Sequence, residues 1–207
     1  MPRPAGARRF PTHLGVPVVL AVIVTLVLVA AVIGVLAGPA RRAGRVRALN
    51  VEANALAAKG EYDEALERLA RAQRIDPSAA PTYYNRGRMY HVRGALDEAL
   101  AQYDRALELR PAYVKPLVNR AIIHAKRGDE SRALDGLDRA LSIDATSTAA
   151  LYHRARLRSR RGDAPGARRD LEALLAMDPD DASARRVLEG LPAREDGVPP
   201  NERSPKP

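Results

Sequence analysis

The chain repeats itself every 34 residues. Gly60, Gly94, Gly128 and Gly162 stand 34 apart, and Ala65, Ala99, Ala133 and Ala167 follow five positions later. A third rank, Ala53, Gly87, Ala121 and Ala155, keeps the same step. Three ranks of small residues in one register predict stacked helical hairpins, because a unit of this length cannot bury its apolar face alone. A stack of that kind offers a long surface for a partner rather than a closed chamber for chemistry.

Each unit divides into two helices. Residues 80–92 read as a first helix with Tyr83, Gly87 and Tyr90 inward. Gly94 interrupts it, since glycine is a poor helix-interior residue and tolerates the turn. Residues 96–109 form the second helix, with Leu96, Ala99, Leu100, Tyr103, Ala106 and Leu107 on one face. Asp76-Pro77, Arg110-Pro111 and Asp178-Pro179 end second helices, because proline restricts the residue before it. Asp144-Ala145 occupies the same place without proline, and Thr146 and Ser147 are expected to cap the next helix. The units run 46–79, 80–113, 114–147 and 148–181. A capping helix over 182–191, started by Asp180-Asp181, is expected to seal the stack through Val187, Leu188 and Leu191.

These units resemble the tetratricopeptide repeat over about 136 residues. The family's large residue at repeat position 4 is Leu49, Tyr83, Leu117 and Leu151. Its small residues at positions 8 and 20 are the two ranks above, and its glycine at 15 is the Gly60 rank. Position 27 holds Ala72, Ala106 and Ala140, then departs to Leu174. The fourth unit also carries Ala164-Pro165-Gly166 in place of the usual first-turn residues, and the first has Glu52 and Asn54 where the second has Arg86 and Arg88. The resemblance implies an all-α fold, a tetratricopeptide-type α-solenoid of antiparallel hairpins.

Ahead of the repeats, Val16 to Ala37 is free of charge and almost wholly apolar. About 20 such residues span a bilayer, so a single transmembrane helix is expected over 15–38, ended by Gly38-Pro39. Residues 1–14 are then a basic stub and 39–45 a short basic linker. A cleaved signal ending near Val35-Leu36-Ala37 is the alternative. Basic residues flank both ends, with Arg3, Arg8 and Arg9 before and Arg41, Arg42, Arg45 and Arg47 after. That near-balance leans slightly to an amino terminus inside the cell and repeats outside the membrane.

The formal charge of +9 is unevenly placed. Residues 1–45 carry +6, residues 46–191 carry +3, and the proline-rich tail from Pro192, expected to be disordered, is neutral. The excess therefore sits where anionic lipid headgroups would be, and nucleic acid is not expected as a partner.

In the resembled family the first helix of each hairpin lines a concave groove that receives a peptide or protein segment. Carried over position by position, the lining is Asn50 and Asn54; Tyr84, Asn85, Arg88 and His91; Lys115, Val118, Asn119, Ile122 and Lys126; and Tyr152, His153, Arg156 and Arg160. It mixes amides, aromatics and cations without an acid, which suits an acidic segment or a free carboxylate. Members that bind chaperones carry a carboxylate clamp of two lysines, two asparagines and an arginine. Its positions here hold Asn50, Asn54, Asn85, Lys115 and Asn119, so three match and two basic residues have become asparagine. The run Arg154, Arg156, Arg158, Arg160, Arg161 is spread around its helix by its spacing. Asp163, Asp170 and Glu172 lie near enough in sequence to offset part of it.

Signatures of chemistry are missing. Cysteine is absent, and the histidines His13, His91, His124 and His153 form no metal-ligand spacing. No phosphate-binding loop, dinucleotide fingerprint or nucleophile elbow occurs. Asp63-Glu64 and Asp97-Glu98 fit the positive ends of second helices rather than an acid–base pair. The expectation is a membrane-anchored interaction scaffold, not an enzyme, with no cofactor and no small-molecule substrate. A structural subunit that assembles through its convex face or repeat ends is the alternative.

Overall fold

A computed structural model describes residues 16–192, by backbone alone at 16–19 and 30–37. Its helices are α1 (Val16–Ala58), α2 (Tyr62–Ile75), α3 (Ala80–Val92), α4 (Leu96–Leu109), α5 (Val114–Lys126), α6 (Glu130–Ile143), α7 (Thr148–Arg160), α8 (Ala164–Met177) and α9 (Ala182–Glu189). The C-terminal part of α1 with α2, then α3 with α4, α5 with α6 and α7 with α8 make four hairpins, each stacked on the next. The basic stub and the tail from 193 onward lie outside the described residues.

The three small ranks are where the helices meet. Ala65, Ala99, Ala133 and Ala167 are wholly buried, and Ala53, Ala121 and Ala155 nearly so. Small side chains let the paired helices close to contact, and the larger Leu69, Leu137 and Leu171 fill the space between. Gly87 shows how tight the approach is. A Cβ built there would stand 2.5 Å from the ring of Tyr103, itself fully buried on α4. The turn glycines Gly60, Gly94, Gly128 and Gly162 all take positive φ, from +78° to +83°. That left-handed conformation strains any residue with a Cβ, so the rank is a turn requirement.

Ser147 stands at the start of α7 but its side chain makes no capping bond. The turn is closed from the other side: Asp144 accepts from the backbone N–H and the hydroxyl of Thr146, at 3.0 and 2.6 Å. Asp76 does the same with Ser78, and Asp178 accepts from the N–H of Asp180. Aspartate bonding two residues on is a turn-former in its own right, which is why the third unit turns without proline. At the far end Asp181 caps α9, accepting from Ser183 and Ala184. There Ala184 and Leu191 are buried, and Val187 and Leu188 pack against the core as expected of a seal.

The amino-terminal segment differs more. Gly38-Pro39 does not end a helix, and 39–45 is not a linker, because α1 runs unbroken through Pro39 to Ala58. A proline inside a helix costs about 3 kcal/mol through its missing N–H and its ring. Here good helix formers follow it, and the end of α1 is held by packing on α2, so the helix propagates outward from a fixed base. Among the described residues no helix is long and apolar enough to cross a membrane. Within the apolar run the described side chains are those of 20–29, and all are exposed.

Candidate functional site

First helices approach one another along the stack, α1 with α3 and α5 with α7, and second helices do not to the same extent. The stack therefore curves with first helices on its inner side, and the expected groove positions fall there in two contrasting halves.

The N-terminal half is closed on itself. Asn50 and Asn85 are buried. The Asn85 amide donates to Asn50 Oδ1 at 2.8 Å, and the Asn50 amide donates to the Thr82 hydroxyl at 2.9 Å and to the Val46 carbonyl at 2.9 Å. These amides tie α1 to α3 instead of facing a ligand, which removes two positions of the chaperone-type clamp. Asn54 is exposed and meets Arg88 at 3.4 Å. The Arg88 guanidinium lies 5.9 Å above the Tyr84 ring. Tyr84 in turn contacts Tyr113 at 5.4 Å and Tyr103 at 6.2 Å between centroids. Asn119 donates to the Tyr103 hydroxyl at 3.4 Å. Burial raises the phenols of Tyr84, Tyr103 and Tyr113, so all stay neutral. Tyr103 and Tyr113 come from outside the first helices, so groove positions alone do not reveal them.

The C-terminal half is open. A cleft of about 380 Å³ lies between α5 and α7. Ala121, Ala125, Leu137 and Leu157 form an apolar floor, with Ile122 at one wall. Lys126, Arg156 and Arg160 stand at the rim, and His153 faces in. Five of the expected groove residues thus converge on one cavity: Ile122, Lys126, His153, Arg156 and Arg160. No acid is among its lining residues. At the rim Arg160 pairs with Glu130 at 3.7 Å, and Arg161 stands 3.9 Å from the same carboxylate. Burial, with Arg156 and Lys126 adding to it, pushes the His153 imidazole down to about 4, so it is neutral at pH 7. His91 is also lowered, by burial and then by Lys126, whose ammonium sits 3.0 Å from its Nε2. Tyr152 stacks edge-on to His153 at 5.4 Å and carries Arg156 over its ring at 5.7 Å. Lys115 is exposed at the start of α5, away from this cluster in sequence, while Val118 is buried and belongs to the core.

The arginine run of α7 splits by its spacing. Arg154 and Arg158 turn away from the cleft and hold Asp170, which is only 4% exposed. Arg154 donates through two nitrogens at 2.9 and 2.6 Å, and Arg158 donates at 2.9 Å. Arg154 also reaches Asp138 at 2.6 Å. Two positions along, about 200° around the helix, Arg156 and Arg160 point to the cleft. This buried ion cluster orients α7 and leaves its other arginines for the groove. The pair Arg154–Asp138 repeats Arg120–Asp104, at 2.6 Å and the same separation of 16. Arg127–Asp97 likewise repeats Arg93–Asp63, at a separation of 30. Period-matched charge pairs were the sequence signal for these ties.

Hairpins stacked around one inner groove define an α-solenoid of the kind that holds segments of other proteins. Residues 120–192 match the family model described as "Tetratricopeptide repeat", and residues 53–91 and 87–128 match the one described as "TPR repeat". The chain carries tetratricopeptide repeats, and TPR proteins are generally protein-interaction scaffolds. No curated protein matches it. Among solved structures it is similar to a tetratricopeptide repeat protein from Parabacteroides merdae ATCC 43184, with 26% identity and a TM-score of 0.60. That match covers 70% of this chain and 59% of the other, so the chain spans under two thirds of that relative. YrrB, described as a TPR protein with an unusual peptide-binding site, is 25% identical with a TM-score of 0.56, over 68% of this chain and 72% of that one. The first TPR of Spaghetti, solved bound to an HSP90 peptide, shares the fold at 23% identity and a TM-score of 0.52, over 55% and 90% of the two chains.

Proposed function

We propose that this protein is a membrane-anchored, non-enzymatic scaffold that holds an acidic protein or peptide segment in the C-terminal half of its groove. The observation that carries this reading is the α5–α7 cleft, an apolar floor under a rim of Lys126, Arg156 and Arg160 with no acid in its lining. Apolar area supplies affinity and the cations select a partner of opposite charge. The peptide-binding site described for YrrB supports a groove reading for a similar stack.

The anchor is the uncharged run Val16 to Ala37, with its repeats on the extracytoplasmic side. Because α1 is continuous, Val46 stands about 14 Å along the helix from Ala37 at 1.5 Å per residue. The hairpins are then displayed close to the bilayer on a stiff stalk, with Arg41, Arg42 and Arg45 at headgroup level.

Pull-down of the detergent-solubilised full chain with mass spectrometry tests the scaffold. Wild type retains a partner that a Lys126→Glu, Arg156→Glu variant loses while its helical signal is unchanged. Retention by that variant would move the interface to the convex face or to the α9 edge. Alkaline carbonate extraction tests the anchor, since a spanning helix stays in the pellet. Protease added to spheroplasts tests the side: digestion of 46–191 is expected, and protection would sink the orientation.

A further inference from the structure

The two halves of the groove differ in what they leave unoccupied, and that difference points to a ligand chemistry. In the N-terminal half the polar groups and rings meet one another. In the C-terminal half the floor between α5 and α7 is apolar, and nothing from the protein fills it. A hydrated peptide backbone does not need such a floor. A branched or linear aliphatic side chain does, because moving its apolar surface out of water is favourable. The cavity is large enough for one such side chain with room for the strand that carries it.

The rim narrows the choice further. Arg156 is held over the Tyr152 ring and Lys126 is positioned beside His91. Both cations are thus partly ordered before a ligand arrives, so a carboxylate meeting them forfeits less side-chain entropy. His153 is neutral and meets the Tyr152 ring edge-on, so it adds a ring to the wall at neutral pH rather than a third charge.

We propose that the α5–α7 cleft is an anchor pocket for a single aliphatic side chain that lies next to a carboxylate in an acidic segment of a partner protein. This rests on the groove reading above, and the experiment separates the two. The probe is a set of fluorescein-labelled decapeptides of serine, aspartate and glutamate with one central guest residue. The guest is leucine, isoleucine, alanine, serine or lysine, and binding to the full chain in detergent micelles is read by anisotropy. Leucine and isoleucine guests should bind at least tenfold more tightly than alanine or serine guests. Replacing the flanking acids by lysine in the leucine peptide should remove binding.

Ala125→Leu places a side chain of this protein in the cleft from a half-buried floor position. It should cancel the preference for an aliphatic guest while leaving the weaker binding of the serine-guest peptide. If all acidic guests bind equally, the anchor pocket is overturned and the groove reading survives. If no acidic peptide binds and basic ones do, both fall. If Ala125→Leu keeps the tenfold preference and a normal helical signal, the side chain sits elsewhere and the anchor pocket is overturned.

Discussion

The N-terminal and C-terminal halves of the groove are built from the same repeat positions and do opposite things. At α1 and α3, the groove positions hold amides and a tyrosine that find partners within the protein. Asn50, Thr82 and Asn85 form one buried chain of hydrogen bonds, and Tyr84 packs among Tyr103 and Tyr113. At α5 and α7 the same positions hold Ile122, Lys126, His153, Arg156 and Arg160, which leave a cavity between them. The lesson is that a groove position is a direction, and neighbouring helices decide whether it is a contact or an opening.

Changes in each half should separate stability from binding. The largest effect is expected at Asp170. Asp170→Ala leaves Arg154 and Arg158 without their buried acceptor, and breaking such a cluster costs about 3 kcal/mol. Urea unfolding of the full chain in micelles, followed by helical circular dichroism, should show it, with peptide binding weakened because α7 loses its orientation. An unchanged midpoint would mean that the cluster does not hold α7.

Gly87→Ala comes next, at about 2 kcal/mol, since the Tyr103 ring must move to admit the methyl group. It should destabilise the closed half and leave affinity for acidic peptides within twofold. Asn50→Ala is expected to cost about 1.5 kcal/mol by stranding Thr82 and Asn85, again without loss of binding. Lost binding in either variant would show that the closed half also takes ligand.

In the open half, Arg156→Ala with Lys126→Ala should leave stability unchanged, because both side chains are exposed. Affinity for an acidic leucine-guest peptide should fall about tenfold, or about 1.4 kcal/mol. The salt dependence of binding should flatten with it.

The last effect is absent at neutral pH and grows only as pH falls. The folded His153 titrates at about 4, below its ordinary 6.5. The unfolded chain therefore takes up the proton first as pH falls. Stability from this group is complete above about 6.5 and is lost as pH drops toward 4. His91 and His124 are shifted in the same direction. His153→Gln should make the slope of unfolding midpoint against pH shallower over that window without abolishing it.

Much of the fold was legible because its cause is local and periodic. The positive-φ glycines, the buried alanine ranks and the α9 seal all stand where the 34-residue register places them. The groove was legible as a list of positions but not as a surface. Asn50 and Asn85 looked like ligand-binding amides because sequence spacing says which way a side chain leaves a helix, not what it meets. Val118 looked like lining for the same reason and is core. Gly38-Pro39 reads as a stop because breaker residues act on local propensity, whereas the end of α1 is held by packing on α2 and the helix continues through Pro39.

The sequence by itself determined the repeat, its turns, its seal and the sign of the charge along the inner face, since each depends on spacing within one unit. Only the tertiary structure decided that α1 runs unbroken and that Asp170 claims two of the five arginines. It also decided that the closed and open halves differ. Those outcomes depend on pairs of residues on different helices, where distance and burial, not order along the chain, set which polar groups are satisfied and which remain to meet a partner.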